Sequence, residues 1–333
     1  MKKLLKAVIV ILIFCFSAVQ CVGVLKAECS YERLIYLIAG LDDASKNTDS
    51  LILLSYNGTD NSASVIQIPR DTYCRFGDTE GKINRFCASY VSSGLSIEES
   101  VQKASEVISN KFGMRLDGYF AITTSSLRRI IDSLGGVTVT LSEDFVIENS
   151  NGDVLLSLSK GENHLDGRES ELFVRHRKSF ITGDIGRMDN QKIFIEGLYR
   201  TVTKNASAFK LIKTALAVGD EIISDFSASD VLINICRGAS GFRDISLTHL
   251  TLPGESIMDS SGVWYYILNR AACENVVEKH LYSDGVEFDK SLSFTNKDKP
   301  DFQKIYYKEN LFWNEYNSNS VNDINIPRRK DNR

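Results

Sequence analysis

Histidine is scarce: the 333-residue chain has only four. None of them shares a zinc-like spacing with the seven cysteines, and no C-x-x-C pair occurs, so a zinc-bound fold or zinc catalytic centre is not the reading. An excess of positive charge is also missing, the formal net charge being −4. That argues against a general nucleic-acid binder, which normally shows a basic face, and no helix-turn-helix with a basic recognition helix is apparent. No internal repeat is visible. The chain is too long for a small stapled scaffold and suits one large α/β domain with additions, or two domains. Apolar residues are plentiful at 43%, enough for a substantial core.

The N-terminus bears on the compartment. Lys2, Lys3 and Lys6 precede an uncharged, mostly apolar run from Ala7 to Leu25. Roughly 20 apolar residues span a bilayer as a helix. Basic residues stay cytoplasmic, so everything after Lys26 is expected outside. A cleaved signal peptide is the alternative, but the run is long for one and no A-x-A-like cleavage site stands near its end. Cys21 raises a lipid-modified cysteine, yet Ala18, Val19 and Gln20 match a lipobox poorly. The expected organisation is therefore a cytoplasmic N-terminus (1–6), a transmembrane signal anchor (7–25), an extracellular catalytic domain (26–284) and a polar, partly disordered C-terminal extension (285–333). In an exported domain disulfides become possible, and Cys74 with Cys87 is the expected pair. Closing that loop would add about 3 kcal/mol.

Along the domain, RLIYLIAGL (33–41), SLILLSYN (50–57) and SVIQIP (64–69) read as strands, the last two as a hairpin across NGTDNSA. Ser96 and Glu99 form a capping box that opens a helix over 97–112. GYFAIT (118–123) is a strand, SSLRRIIDSLGG (125–136) a helix with a Gly-Gly stop, and VTVTL (137–141) a strand. GRESELFVRHR is a helix, and a long helix opens near Asp184, with at least one more between 206 and 237. ISLTHLTLPG (245–254) and WYYILN (264–269) follow, with a final helix to about 281. Alternating strands and helices predict a layered α/β/α domain around a central mixed β-sheet, preceded by one N-terminal transmembrane helix.

Four clusters carry chemistry. Asp42 and Asp43 follow the first strand and Asp49 precedes the second. Carboxylates converging at strand mouths suit Mg²⁺, which leaves room for substrate phosphates, although loop aspartates also cap turns. Arg70 and Asp71 end another strand, where a guanidinium serves as ion-pair partner or as anion clamp. Lys82, Asn84 and Arg85 lie in GKINR, a weak signal alone. The richest stretch is VRHRKSFITGDIGRMDNQ (174–191). Asp184, Arg187 and Gln191 share one helix face there, close to Arg175 and Arg177. Its apolar flanks place that face toward a cleft rather than toward solvent. Arg70, Lys82, Arg175, Arg177 and Arg187 beside two or three aspartates have the composition of a phosphoryl-transfer site.

The order of these clusters resembles the LytR-CpsA-Psr family of cell-envelope glycopolymer transferases. The resemblance is carried by GLDD…NTDS (40–50), IQIPRDTYC (66–74), GKIN (81–84), DSLGGVTV (132–139), LDGRESELFVRHRKSFITGDIGRMDNQ (165–191) and TLPG (251–254), and it covers about residues 33 to 275. The chain departs from the family pattern at Ala44 and Asn47, where arginines are usual, and at Arg85, where histidine is usual. The resemblance implies a membrane-anchored, outward-facing phosphotransferase. It would move a glycopolymer, such as teichoic acid or capsule, from a polyprenyl-pyrophosphate carrier to a peptidoglycan sugar hydroxyl. Asp42 and Asp49 would hold Mg²⁺. Arg70, Arg175, Arg177 and Arg187 would hold the phosphates, with Lys82 and Asn84 nearby, Asp184 orienting the arginines and Gln191 finishing the polar rim. The prenyl chain would lie in an apolar tunnel lined from around 97–141 and 185–235. Asp49 and Asp71 are both candidates for the general base. The alternatives are hydrolysis of the pyrophosphate, a non-catalytic wall- or carrier-binding module and, least supported, a transcriptional regulator.

The topology is testable directly. Protease added to intact protoplasts is expected to degrade the domain; protection until lysis would overturn the outward-facing anchor.

Overall fold

The structure, a computed structural model, describes residues 33–282 apart from 45, 58–59, 77–78, 113, 178–183, 206–209, 211–213, 215–221, 227–244 and 259–261. The expected anchor and the C-terminal extension lie outside the described residues. Among the described residues no helix is long and apolar enough to cross a membrane.

Alternation along the first strands builds the layers. β1 (Arg33–Leu41) pairs antiparallel with β2 (Thr48–Asn57), and β2 pairs antiparallel with β3 (Ser62–Ile68). Leu34, Tyr36 and Ile38 point to one face with Ile52, Leu54 and Val65. Ile35, Leu37, Ala39 and Leu41 point to the other with Leu51, Leu53, Ile66 and Ile68. Both faces are apolar, so both must be covered. β6 (Gly118–Thr123) runs parallel to β1, and β12 (Ser246–Thr251) runs parallel to β3. With β11 (Ile222–Ser224) the sheet has the order β11-β6-β1-β2-β3-β12.

One face carries α1 (Phe86–Ser92), α2 (Ile97–Phe112) and α6 (Arg270–Leu281). In α2 the buried Val101, Ala104 and Ile108 keep helical spacing. Ser96 and Glu99 form the reciprocal cap, with Ser96 N donating to Glu99 Oε2 at 2.9 Å and Glu99 N donating to Ser96 Oγ at 3.2 Å. The other face carries α3 (Thr124–Leu134), α4 (Gly167–Arg175) and α5 (Asp184–Arg200). Gly135, at φ 78°, ends α3 in the left-handed conformation that favours glycine. α4 opens with a second capping box, Asp166 with Glu169. Each large core side chain contributes about 1.5–3 kcal/mol by leaving water. The layered α/β/α architecture around a mixed sheet is therefore observed.

Beyond the expected strands over 137–141 and 264–269, several strands were not anticipated. Four two-stranded antiparallel pairs decorate the sheet: β4 (Tyr73–Phe76) with β5 (Thr79–Lys82), β7 (Val137–Leu141) with β10 (Gly161–Leu165), β8 (Phe145–Glu148) with β9 (Val154–Leu158), and β13 (Gly254–Met258) with β14 (Trp264–Leu268). The β8–β9 turn closes through Asn149, whose side-chain oxygen accepts from the amides of Asn151 and Asp153. The late run ISLTHLTLPG is the expected strand, β12, which stops at Thr251 shortly before Pro253, a residue without an N–H; the next strand, β13, opens at Gly254. The helix expected between 206 and 237 falls mostly outside the described residues.

The expected Cys74–Cys87 disulfide is not formed. Both thiols are free and buried, as is Cys273. They act as small apolar groups on the α1–α2–α6 face of the sheet. Burial pushes the Cys87 thiol up to about 11, which keeps it protonated and unreactive. Mass spectrometry of non-reduced peptides is expected to find Cys74 and Cys87 as thiols. A linked 74–87 peptide in freshly isolated protein would contradict the structure.

Candidate active site

The C-terminal ends of β1, β3 and β6 and the start of β2 meet at one edge of the sheet, the place where open α/β sheets bind ligands. The β1–β2 connection is held tightly. Asp42 N donates to Asn47 O at 3.0 Å, and Lys46 N donates to Asp42 O at 3.1 Å. Asp43 accepts from the Ser125 amide at 3.1 Å and from its hydroxyl at 3.0 Å, placing its charge at the N-terminus of α3. Asp43 thus anchors the loop, and Asp42 and Asp49 are left to face the arginines.

Those arginines arrive from three segments. Arg70, after β3, contacts Asp49 Oδ1 at 2.5 Å. Arg175, at the end of α4, reaches Asp42 Oδ2 at 3.3 Å. Arg177 lies 3.7 Å from Asp49 Oδ1. Arg187, in the first turn of α5, is 2% exposed and donates to the Asp49 carbonyl at 2.8 Å. Gln191, one turn further, accepts from Gln67 Nε2 at 3.3 Å and from Ser50 Oγ at 3.4 Å, and it donates to the Val174 carbonyl at 3.3 Å. The structure therefore brings together Asp42, Asp49, Arg70, Arg175, Arg177, Arg187 and Gln191. Asp184 begins α5 as expected, but its side chain lies outside the described residues.

Behind this polar cluster opens a cavity of about 150 Å³ between the sheet and α3 and α5. Its mouth is Asp49, Arg175, Arg187 and Gln191; its walls are Ile38, Ile52, Ile122, Leu127, Phe194 and Leu198. The expected apolar tunnel thus has a counterpart, with two differences. β1 and β2 supply part of the wall, and α2 supplies none because it packs on the opposite face.

Lys82 and Asn84 do not line this cavity. Lys82 pairs with Asp71 at 3.0 Å and sits 5.8 Å from the Tyr265 ring centre, joined to the cluster through the 3.9 Å Arg70–Asp71 contact. Asn84 is 7% exposed, and its carbonyl accepts from Thr48 Oγ1 at 3.2 Å, a bond that ties the start of β2 in place. Two residues that sequence reasoning missed complete the picture. Glu171 Oε1 holds Arg175 Nη1 at 2.9 Å, and Glu171 Oε2 holds Arg128 Nε. The i, i+4 spacing of Glu171 and Arg175 was a usable signal. Arg128, in α3, is separated from α4 by four strands in sequence and had none.

With the geometry in place, comparison with known proteins becomes informative. The model of the LytR_cpsA_psr family matches residues 26–281. The chain is a LytR-CpsA-Psr family protein. Among its relatives in the family, the polyisoprenyl-teichoic acid–peptidoglycan teichoic acid transferase TagU of Oceanobacillus iheyensis is 27% identical over 238 residues, covering 70% of each chain. The Bacillus subtilis TagU of the same description is 28% identical over 258 residues, covering 73% of this chain and 75% of that one. The crystal structure of Bacillus subtilis TagV superposes with a TM-score of 0.60 at 22% identity, over 77% of this chain and 100% of that one. That last likeness is one of LytR-CpsA-Psr fold.

Arg187 and Arg177 should separate in their effect on folding. Arg187 is buried and bonded to the backbone, so Arg187→Ala is expected to cost about 1–3 kcal/mol in denaturant unfolding. The Arg177 side chain is 34% exposed, and Arg177→Ala should cost less than about 1 kcal/mol. Equal losses would mean that Arg187 is not a keystone of the site.

Proposed function

We propose that the chain transfers a glycopolymer from a polyprenyl-diphosphate carrier to a peptidoglycan hydroxyl on the outer side of the membrane, tethered by residues 7–25. The observation that carries this reading is the joining of a guanidinium- and carboxylate-lined mouth to an apolar cavity in one site. A diphosphate head with a lipid tail has that same division. The names of the TagU relatives, which describe transfer of teichoic acid from a polyisoprenyl carrier to peptidoglycan, point the same way.

In this reading Arg175 and Arg187 hold the diphosphate oxygens at the mouth, each able to make paired hydrogen bonds. Arg177 and Arg70 approach from the Asp49 side. The first prenyl units lie against Ile38, Ile52, Ile122 and Phe194. An acceptor hydroxyl attacks the phosphorus that bears the polymer, and a new P–O bond forms. The bond from that phosphorus to the bridging oxygen breaks, and prenyl monophosphate leaves with the electron pair. The hydroxyl proton passes to a carboxylate beside Arg70, either Asp49 or Asp71. Catalysis of this kind rests on positioning and on neutralising charge.

The residues also fit a divalent cation. Among the described residues no group of three or more His, Cys, Asp and Glu is placed to hold a metal. Asp49 at the mouth and Asp42 beside Arg175 would offer two oxygen ligands, and Mg²⁺ is commonly held by one or two carboxylates together with substrate phosphates. Bound there, Mg²⁺ would screen the diphosphate charge and polarise the P–O bond under attack.

Transfer from a purified lipid-linked donor tests the proposal. Arg175→Ala, Arg187→Ala and Asp49→Ala are each expected to lower the rate by about 10²–10³-fold in protein that remains folded. Arg200→Ala, at the exposed end of α5, should change little. Near-normal transfer by folded Arg175 and Arg187 variants would make the cluster structural and sink the reading. Release of free polymer without acceptor attachment would identify a hydrolase instead.

A further inference from the structure

Two exposed cations, one of them Arg175 at the mouth, share a single buried carboxylate. Glu171 is 9% exposed, and its two oxygens are divided between Arg128 and Arg175. The Arg128 and Arg175 side chains are each 46% exposed, so the carboxylate is inside and the guanidinium groups reach outward. Arg175 continues to Asp42, and Leu127, the neighbour of Arg128, lines the cavity together with Val174 and Arg175. Arg128 itself does not line the cavity; it is held beside Arg175, from the opposite helix, through their shared Glu171.

The separation of those helices is set by the backbone. A Cβ on Gly167 would lie 2.3 Å from the Arg128 carbonyl oxygen, so α4 begins in direct contact with α3. The Gly167 amide donates to Asp132 Oδ1 at 2.7 Å, which locks the same contact. Only a residue without a side chain permits this approach, and the approach brings Arg128 within reach of Glu171.

We propose that Glu171 is a positioning residue of the diphosphate clamp and that Arg128 is a further anion-binding cation in it. The proposal rests on the reading of the site as a diphosphate site. Glu171 restricts the Arg175 rotamers and holds the Arg128 guanidinium beside it, so the anion meets two pre-oriented forks instead of two mobile side chains. The triad carries a net charge of +1, so the attraction for an anion survives the presence of the carboxylate.

The sign of one substitution discriminates. Glu171→Gln removes a negative charge close to an anion site. If charge alone governed binding, the variant would hold inorganic pyrophosphate more tightly. Positioning requires the opposite, a weakening of about 10- to 100-fold by calorimetry, the usual scale for losing a charged hydrogen-bonded contact. Arg128→Ala should weaken binding to a similar degree, and Arg128→Lys should recover part of it. Arg128 is on the surface, so that pair decides the matter even if Glu171→Gln unfolds in a melting control. Unchanged or tighter binding by folded Glu171→Gln, or an Arg128→Ala protein that binds like wild type, would overturn the proposal. Absence of pyrophosphate binding by the wild-type protein would overturn the diphosphate reading along with it.

Discussion

The site depends on the neutralisation of Asp49 by the arginines around it. Its carboxylate meets Arg70 and Arg177, and its backbone carbonyl takes Arg187. Segments from β2, the end of β3, the end of α4 and the start of α5 are thereby drawn to one point. Charges partly withdrawn from water, and the buried Arg187 above all, are costly unless paired, and removing one partner leaves the other uncompensated. The cluster is therefore self-consistent before any substrate arrives. A diphosphate and a cation entering together would exchange one set of ion pairs for another, and neither side would be left bare. That condition favours joint binding over the binding of either alone.

The fold around this point separates two tasks. The α1–α2–α6 face is closed and packed with Leu37, Leu53, Ile66 and Phe112, and it serves stability. The α3–α4–α5 face is equally apolar but leaves a gap where α3 and α5 cross the ends of β1, β2 and β6. α5 is held against β7 through Gly197, where a Cβ would lie 2.4 Å from the Thr138 carbonyl oxygen. The helix is thus fixed near its C-terminal end, while its face from Arg187 to Leu198 borders the cavity.

Much of this was legible in the residues. Short apolar runs marked β1, β2, β3 and β6, and the Ser96–Glu99 pair and the Gly135–Gly136 stop marked helix ends, because each is a local rule acting over a few residues. The Arg175, Arg187 and Gln191 group was legible from helical spacing and apolar flanks. What stayed hidden depends on contacts distant in sequence. Arg128 joins Glu171 only because two helices touch at Gly167. Lys82 was counted with the other cations by its charge, whereas the β4–β5 hairpin carries it to Asp71 and Tyr265. The cysteine pair was misjudged for a similar reason. Nearness in sequence does not aim two side chains at each other, and here both fill the same apolar layer as separate thiols.

Those thiols bear on how the domain matures. Cys74, Cys87 and Cys273 are reduced and enclosed by hydrocarbon in the finished structure. The sheet and its two helical layers thus close around these three residues with no cross-link between them, and this part of the fold asks nothing of an oxidant or of a disulfide-shuffling catalyst. A domain built this way reaches the same core in a reducing envelope as in an oxidising one. In an oxidising compartment the danger is the reverse: during folding, before the core has closed, premature oxidation of Cys74 or Cys87 would trap a chain that cannot pack.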